Sequence, residues 1–335
     1  MKTDNYMNNS LIRKLRKEVN REIITTIRSF CEIPIASQML GYQMGLLKNE
    51  SKETQGKRFR PILCLLSSLA INGDYKMALP AAAAIELIHN FSLIHDDIQD
   101  EDECRRGRKT VWRKWGNNQA INAGDAMHTL ANIALQRLFK MNLSPKVIDS
   151  VFFIINNACY QMCEGQMLDI GFEKKWNVRL PQYLQMIRKK TATLIQSAPY
   201  CGALIATQNR SVIRHYKNFG ANVGMAFQIF NDLSGCDGSA AQFNHFYSDL
   251  IKKKKTLPVI LAFKSLESAQ KRKIKEREML SLFKESDAIQ HSRRIGENYL
   301  ENALLELNKT GIKNPSQELL KEYIKKGTGY FSQGI

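Results

Sequence analysis

The chain has 335 residues, 44% of them hydrophobic, with only 8 prolines and 19 glycines, so it can form a sizeable core and long helices. Its 49 basic and 32 acidic residues give a net charge of +17, which favours anionic partners: nucleic acid, acidic lipid or phosphorylated small molecules. Nucleic acid is the weakest of these, because the basic residues are scattered and no zinc-finger spacing or groove-reading motif occurs. We therefore predict no nucleic-acid partner.

The sequence also bears on where the protein resides. The first residues lack the apolar core of a signal peptide, and no apolar run approaches membrane-spanning length. Seven cysteines lie at irregular intervals, which is typical of reduced thiols. These features predict a cytoplasmic protein with no integral membrane association.

Apolar residues recur at three- and four-residue spacing almost throughout the chain, and two-residue alternation is not sustained. This periodicity predicts helices at about 10–30, 59–72, 76–98, 118–140, 145–171, 180–205, 210–234, 255–267, 270–283, 286–308 and 315–327. The breaks between them are short, and residues 235–248 have no period and are predicted to form a loop. We expect a single all-α domain over residues 1–335.

The most informative feature is an acidic run directly behind an apolar helical stretch. It places five acidic residues in the seven positions 96–102, and Asp96 and Asp100 share a helix face with Asp97 beside them. Crowded carboxylates repel one another unless a hard cation lies between them, and Mg²⁺ binds one or two protein carboxylates together with water and phosphate oxygens. Arg105 and Arg106 follow and can bind a phosphate. The run indicates a carboxylate–metal–diphosphate site, and the alternative is a solvated helix end with a basic turn.

Three further clusters carry side chains suited to the same chemistry. The stretch 56–61, Gly-Lys-Arg-Phe-Arg-Pro, is a basic turn that opens a helix, and helix N-termini together with cations bind phosphate. The second cluster consists of Gly165–Asp169 together with Lys190–Thr191. The third consists of Phe227–Gly235 together with Asp249–Pro258.

With these motifs in order, the chain resembles the trans-prenyl diphosphate synthases, which make linear isoprenoid diphosphates. The matching motifs lie between about 55 and 260 and are GKRFRP, IELIHNFSLIHDDIQDED, RRGRKTVW, WG–QAINAGDA, GQMLD, KTA, FQIFND and KTLP. The resemblance implies an isoprenoid-synthase-like bundle of long antiparallel helices around a central cavity, and a homodimer. It also implies Mg²⁺ as cofactor, and isopentenyl diphosphate and an allylic prenyl diphosphate as substrates.

The resemblance implies a role for each motif residue. The metal-binding residues would be Asp96, Asp97 and Asp100 in the first motif and Asn231 and Asp232 in the second. The allylic diphosphate would be held by Arg105, Lys190, Thr191, Gln228 and Lys254, and the diphosphate of isopentenyl diphosphate by Lys57, Arg60, His89 and Arg106. The first aspartates together with Lys190 and Lys254 would be the catalytic groups, since metals and cations stabilise the departing diphosphate. Outside this motif, His89 would be interpreted as a buried structural histidine.

Phe91 lies five residues before Asp96, where bulky residues of the family limit the growing chain. By resemblance it forms the floor of the pocket and favours a product of about twenty carbons, because pocket volume decides which chain fits. The alternative is an ordinary core phenylalanine.

The second acidic motif departs from the family pattern Asp-Asp-x-x-Asp, because it has Asn231 first and Gly235 last. An amide oxygen can ligate a hard cation but adds no charge, so a third Mg²⁺ would be bound more weakly. Three hypotheses follow: an elongating synthase, a terpene synthase or a prenyltransferase for a non-isoprenoid acceptor, and a non-enzymatic modulatory subunit. Retention of Lys57, Arg60, His89 and Arg106 favours elongation, and the intact first motif argues against the modulatory subunit.

Overall fold

The computed structural model describes residues 10–47, 54–173, 175, 177–234, 254–264 and 286–328. These residues are almost entirely helical, which confirms the predicted all-α class. The α-helices are α1 Ser10–Phe30, α2 Pro34–Met44, α3 Phe59–Asn72, α4 Leu79–Gln99, α5 Val111–Trp115, α6 Asn117–Gln136, α7 Pro145–Glu173, α8 Leu180–Ile187, α9 Thr193–Ala206, α10 Arg210–Leu233, α11 Leu257–Ala262, α12 Ala288–Lys309 and α13 Pro315–Gly327.

Several helices begin and end at residues with suitable backbone chemistry. Pro34 and Pro80 lie in the first turns of α2 and α4, where a missing N–H costs nothing. Helix α3 ends at Gly73, whose φ of 79° suits glycine. Asn314 caps α13, because its side chain accepts a hydrogen bond from the backbone N–H of Gln317 at 2.9 Å.

The structure differs from the predicted elements in several places. Helices α2 and α5 were not predicted, because each is short and weakly periodic. The predicted helix at 180–205 is interrupted by a π-helical segment, Arg188–Ala192, between α8 and α9. The predicted helix at 270–283 and the predicted loop at 235–248 lie outside the described residues.

A short β-hairpin, also not predicted, follows the acidic end of α4. Strand β1, Cys104–Arg105, pairs antiparallel with β2, Arg108–Lys109, in the register Cys104 to Lys109. The two turn residues both have positive φ, 53° for Arg106 and 73° for Gly107, as a type I′ turn requires. This tight turn fixes the direction in which the two neighbouring arginines leave the backbone.

The chain divides into two compact units. Unit 1 comprises Met1–Asn156 and Ala198–Ile213, and unit 2 comprises Asn157–Ser197 and Arg214–Ile335. The expected single domain over residues 1–335 remains a prediction.

Helix α4 is the core helix of unit 1 and packs against α6, α3 and α1. Its residues 81–84 are alanines that are fully buried, and their small side chains allow close packing. The expectation that no apolar run approaches membrane-spanning length was wrong for one stretch of the described residues, Lys76–Gln99, whose helix is long and apolar enough. However, 72% of its apolar window is buried inside the protein. In unit 2, α11 packs against α12 and α8.

Candidate active site

The acidic end of α4 belongs to unit 1 and combines a buried carboxylate with an arginine. Asp97 is buried, and its Oδ1 accepts a hydrogen bond from Arg105 Nε at 2.6 Å. Its Oδ2 is also buried and accepts no hydrogen bond from the described residues. Burial raises the pKa of Asp97 to about 6, with smaller contributions from Asp102 and Asp96, although Arg105 lowers it. The orphaned oxygen is a position where a cation, directly or through a water, would supply the missing partner.

Asp96 and Asp100 lie beside Asp97 and are partly exposed. Among the described residues, no three acidic, histidine or cysteine side chains are close enough together to form a metal site by themselves. The carboxylates therefore fit a cation such as Mg²⁺, which completes its coordination with water and substrate oxygens, better than one held by protein ligands alone.

A buried ion pair supports the basic turn of unit 1. Arg58, with a left-handed φ of 52°, is buried just before α3. Its Nη1 donates to Glu86 Oε1 at 3.0 Å, its Nη2 to the Met44 carbonyl at 2.6 Å and its Nε to Asn20 Oδ1 at 2.9 Å. Asn90 Nδ2 donates to the same Glu86 oxygen at 3.1 Å. This network fixes the backbone from which the neighbouring Lys57 and Arg60 extend.

The predicted cations and histidine form a common electrostatic environment. Burial lowers the pKa of Arg60 to about 10, Glu86 raises it and Arg106 lowers it. Burial, followed by the charges of Arg60, Arg106, Arg105 and Arg58, holds the pKa of His89 well below its usual range. His89 is therefore neutral at pH 7 and can accept or donate a hydrogen bond without adding another positive charge.

Gly56 and Arg106 lie against each other in this cluster. Arg106 donates from Nη1 to the Thr54 carbonyl at 3.1 Å, and a Cβ at Gly56 would lie 2.7 Å from the Arg106 guanidinium carbon. The φ of Gly56 is 70°, a value that residues with a side chain rarely adopt. Glycine is therefore favoured there both by this backbone conformation and by the lack of space for a Cβ. Lys57 is exposed and able to turn toward a ligand.

Phe91 lies one turn before the first aspartate and packs between two histidines. Its ring centroid is 5.2 Å from those of His95 and His128. Gly124 gives His95 its space, because a Cβ at that position would collide with the imidazole. The phenylalanine is thus held in place by aromatic contacts from α4 and α6.

In unit 2, the π-helical segment positions two consecutive lysines. Lys189 Nζ pairs with Glu164 at 2.5 Å, and Lys190 Nζ pairs with Asp169 at 2.6 Å. A Cβ at Gly165 would collide with the backbone nitrogen of Lys190. Helix α7 therefore approaches the π segment closely only because residue 165 is glycine.

The carboxylate of Asp232 joins several elements of unit 2. Its Oδ1 accepts from Gln228 Nε2 at 2.8 Å, and its Oδ2 accepts from the Tyr183 hydroxyl at 2.6 Å and from the backbone N–H of Leu257 at 3.0 Å. Thr191 Oγ1 donates to Gln228 Oε1 at 2.7 Å. A continuous network thus runs from the π segment through α10 to α8 and the start of α11.

The remaining predicted residues of unit 2 lie at the ends of this network. Asn231 is exposed, in contrast to its partly buried neighbour Asp232. Lys254 is partly exposed and lies three residues before Leu257. The structure thus groups Thr191, Gln228 and Asp232, whereas Lys190 pairs with Asp169.

Two residues with an evident structural role in these clusters, Glu86 and Tyr183, were not identified from the sequence. A glutamate inside the apolar stretch 81–88 was a visible signal, because an acid in a buried helix face requires a partner. Tyr183 gave no such signal, since an aromatic residue at helical spacing is usually part of the core.

The described residues are helical and group carboxylates and cations near the ends of helices, and comparison with known proteins gives the family. Residues 47–294 match the family described as polyprenyl synthetase. The chain is 38% identical over 274 residues to a geranylgeranyl pyrophosphate synthase from Geoglobus acetivorans, covering 80% of this chain and 84% of that protein. It is 41% identical over 226 residues to a short chain isoprenyl diphosphate synthase from Methanothermobacter thermautotrophicus, covering 67% and 66% of the two.

A solved structure agrees with the sequence comparison. The crystal structure of geranylgeranyl pyrophosphate synthetase from Pyrococcus horikoshii Ot3 superposes with a TM-score of 0.83 at 32% identity, covering 94% of this chain and 96% of that one. The chain belongs to the polyprenyl synthetase family. It is a prenyltransferase of isoprenoid biosynthesis, a short-chain prenyl diphosphate synthase, which confirms the elongating hypothesis among the three.

Proposed function

We propose that the protein condenses an allylic prenyl diphosphate with isopentenyl diphosphate, and that its product is a linear diphosphate of about twenty carbons. The observation that carries the proposal is the cation cluster around neutral His89, which includes Arg105, the arginine that pairs with the buried, incompletely bonded carboxylate of Asp97. The product length is supported by Phe91, held between His95 and His128, and by relatives named geranylgeranyl diphosphate synthases.

In this proposal Asp96, Asp97 and Asp100 hold Mg²⁺. When bound, Mg²⁺ would neutralise the diphosphate and stabilise the negative charge that develops as it departs. The protein's own contribution is to keep the Asp97 carboxylate buried and aligned by Arg105. Asn231, at the exposed end of the second motif, would add an oxygen without charge, so any metal there would be held more weakly than by an aspartate.

The roles of the cations follow from their environments. Arg60, His89, Arg106 and exposed Lys57 would hold the diphosphate of isopentenyl diphosphate, with Arg58 and Glu86 fixing the turn. A neutral His89 among arginines can accept a hydrogen bond from a guanidinium and leave the positive charge to the arginines. Arg105, Lys190, Thr191, Gln228 and Lys254 would hold the allylic diphosphate.

Product analysis by mass spectrometry tests the proposal. Farnesyl diphosphate and isopentenyl diphosphate with Mg²⁺ should give a longer linear diphosphate, and chelation of the metal with EDTA should stop the reaction. A hydrocarbon or alcohol released from farnesyl diphosphate alone would instead identify a terpene synthase. Consumption of neither substrate would contradict the proposal.

We also propose that the protein is a cytoplasmic homodimer that associates through α7. Phe153, Tyr160 and Met167 are 69%, 65% and 71% exposed, and they recur every seven residues along this helix. A seven-residue repeat places apolar side chains on one face, where a second copy can cover them. Light scattering after size-exclusion chromatography should give twice the mass of one chain. The double variant Phe153→Glu, Met167→Glu should have the mass of a single chain. A monomeric wild-type protein would contradict the homodimer.

A further inference from the structure

We propose that Tyr183 is a positioning residue for the allylic diphosphate, acting through Asp232 rather than touching substrate. The inference rests on the proposed roles of Thr191, Gln228 and Lys254. It concerns a tyrosine to which the sequence motifs give no role.

The first step is how Asp232 is bonded. Each carboxylate oxygen has about two lone-pair positions. At Oδ2 both are used, by the Tyr183 hydroxyl at 2.6 Å and the Leu257 N–H at 3.0 Å, and Oδ1 accepts from Gln228 at 2.8 Å. This pattern does not suit Oδ2 for a metal, because its lone pairs already face protein donors. Although Asp232 belongs to the second acidic motif, we infer that its main role is to hold other residues of unit 2 in place rather than to bind a metal.

The second step is what the carboxylate organises. Gln228 donates to Asp232 and accepts from Thr191, so both ends of its amide group are fixed. The Gln228 amide nitrogen carries two N–H donors, and the bond to Asp232 uses one of them. The bond to Leu257 N–H anchors the start of α11, three residues after Lys254. Two of the residues proposed for the allylic diphosphate, Gln228 and Thr191, are thereby linked to one carboxylate, and the chain that follows the third, Lys254, is anchored to it.

The third step is why Tyr183 controls that carboxylate. The Tyr183 side chain is fully buried, so its hydroxyl cannot donate a hydrogen bond to bulk water instead of to Asp232. A tyrosine hydroxyl is protonated at neutral pH, so it donates its hydrogen to the carboxylate. Hydrogen bonds to charged groups are the stronger ones, and a fixed donor restricts the orientation of the carboxylate. Without the hydroxyl, Asp232 can rotate away from Gln228 and Leu257.

Tyr183→Phe tests this role, because it removes only the hydroxyl and retains the buried ring. We expect the KM for the allylic diphosphate to rise by about tenfold to a hundredfold, the range given by losing one hydrogen bond to a charged group. The KM for isopentenyl diphosphate should stay within about twofold, since none of its proposed ligands bonds to Tyr183, Asp232 or Gln228 among the described residues.

The matched control is Tyr216→Phe. Tyr216 is also fully buried in unit 2, and its hydroxyl donates to Gln317 Oε1 at 2.6 Å and not to Asp232. It should lower the melting temperature to a similar degree as Tyr183→Phe and leave both KM values unchanged. Equal effects of the two variants on the allylic KM would overturn the inference, because loss of stability would then explain both.

A double-mutant cycle with Asp232→Asn tests whether Tyr183 acts through the carboxylate. Calorimetric binding of farnesyl S-thiolodiphosphate, an allylic analogue, gives a readout that requires no turnover. In the Asp232→Asn background, Tyr183→Phe should weaken this binding by less than about twofold, whereas additive losses would contradict the coupling. If the wild-type enzyme bound the analogue but did not elongate farnesyl diphosphate, the proposed function would fail and the cycle would still decide the role of Tyr183.

Discussion

The two units position polar groups by different physical means. In unit 1, the turn at Arg58 is fixed by a buried ion pair with Glu86, and burial shifts the pKa values of Arg60, His89 and Asp97. In unit 2, neutral donors such as Tyr183 and Gln228 hold one carboxylate, and a helical irregularity presents the lysines. Buried charges in unit 1 can therefore attract a bound anion electrostatically. The hydrogen-bond network in unit 2 fixes the orientation of its side chains without adding net charge.

The largest effect is expected when the first acidic motif of unit 1 is broken. Asp96→Ala should reduce kcat by roughly a hundredfold to a thousandfold, because it removes a proposed metal ligand at the departing diphosphate. Turnover of labelled isopentenyl diphosphate measures the loss. Asp149→Ala removes an exposed carboxylate from the same unit and should leave kcat unchanged. Full activity of Asp96→Ala would overturn the metal assignment.

Removing the buried charge of unit 1 should chiefly cost stability. Glu86→Gln leaves Arg58 without a buried counter-charge and should lower the free energy of unfolding by about 3–5 kcal/mol, measured by urea denaturation. Glu18→Gln is the control, because in the Glu18–Arg21 pair Arg21 is 75% and Glu18 28% exposed, and such solvent-accessible pairs contribute about 0–1 kcal/mol. Equal, small effects of both substitutions would show that the buried pair does not hold the turn.

The π segment of unit 2 is tested by two glycines of the same helix. Gly165→Ala places a Cβ against the Lys190 backbone and should lower the free energy of unfolding by about 1–3 kcal/mol, and it should raise the allylic KM. Gly171→Ala meets no neighbouring atom within 4 Å and should be neutral or stabilising by up to about 1 kcal/mol. Thermal unfolding and kinetics of both variants, compared directly, measure the difference. If Gly165→Ala behaved as Gly171→Ala does, close approach to the π segment would have no role.

The smallest effect on rate is expected at Phe91. Phe91→Ala enlarges the proposed pocket floor between His95 and His128 and should lengthen the product with little loss of turnover. Chromatography of the dephosphorylated products measures chain length. Phe30→Ala removes a phenylalanine that is 58% exposed and should leave the product unchanged. An unchanged product from Phe91→Ala would remove this residue from the account of chain length.

The long helices and the motifs of unit 1 could be predicted because their signals are consecutive in sequence, whereas its short helices α2 and α5 could not. The apolar period locates α4, and the acidic run shows where it ends. The partner of Glu86 could not be predicted, since Arg58 lies 28 residues away and its left-handed backbone leaves no signature in sequence. The hairpin at Arg106–Gly107 was missed for a related reason, because its turn lacks the Asn-Gly or Asp-Gly pair typical of type I′ turns.

In unit 2, residue types were predicted and their arrangement was not. The motifs at Lys190, Gln228 and Asp232 were evident from the sequence. The π segment was not, because a π turn contains one more residue than an α turn and changes the apolar pattern only slightly. Likewise Asp232 looks like a metal ligand in its motif, and only the bonds from Tyr183 and Leu257 show its other role.

The most direct test is a crystal structure of the protein with Mn²⁺, as an anomalous substitute for Mg²⁺, and farnesyl S-thiolodiphosphate. We expect anomalous density within about 2.5 Å of carboxylate oxygens of Asp96 and Asp100, with analogue oxygens completing the coordination. Bound analogue with these aspartates bare and no metal beside them would contradict the account.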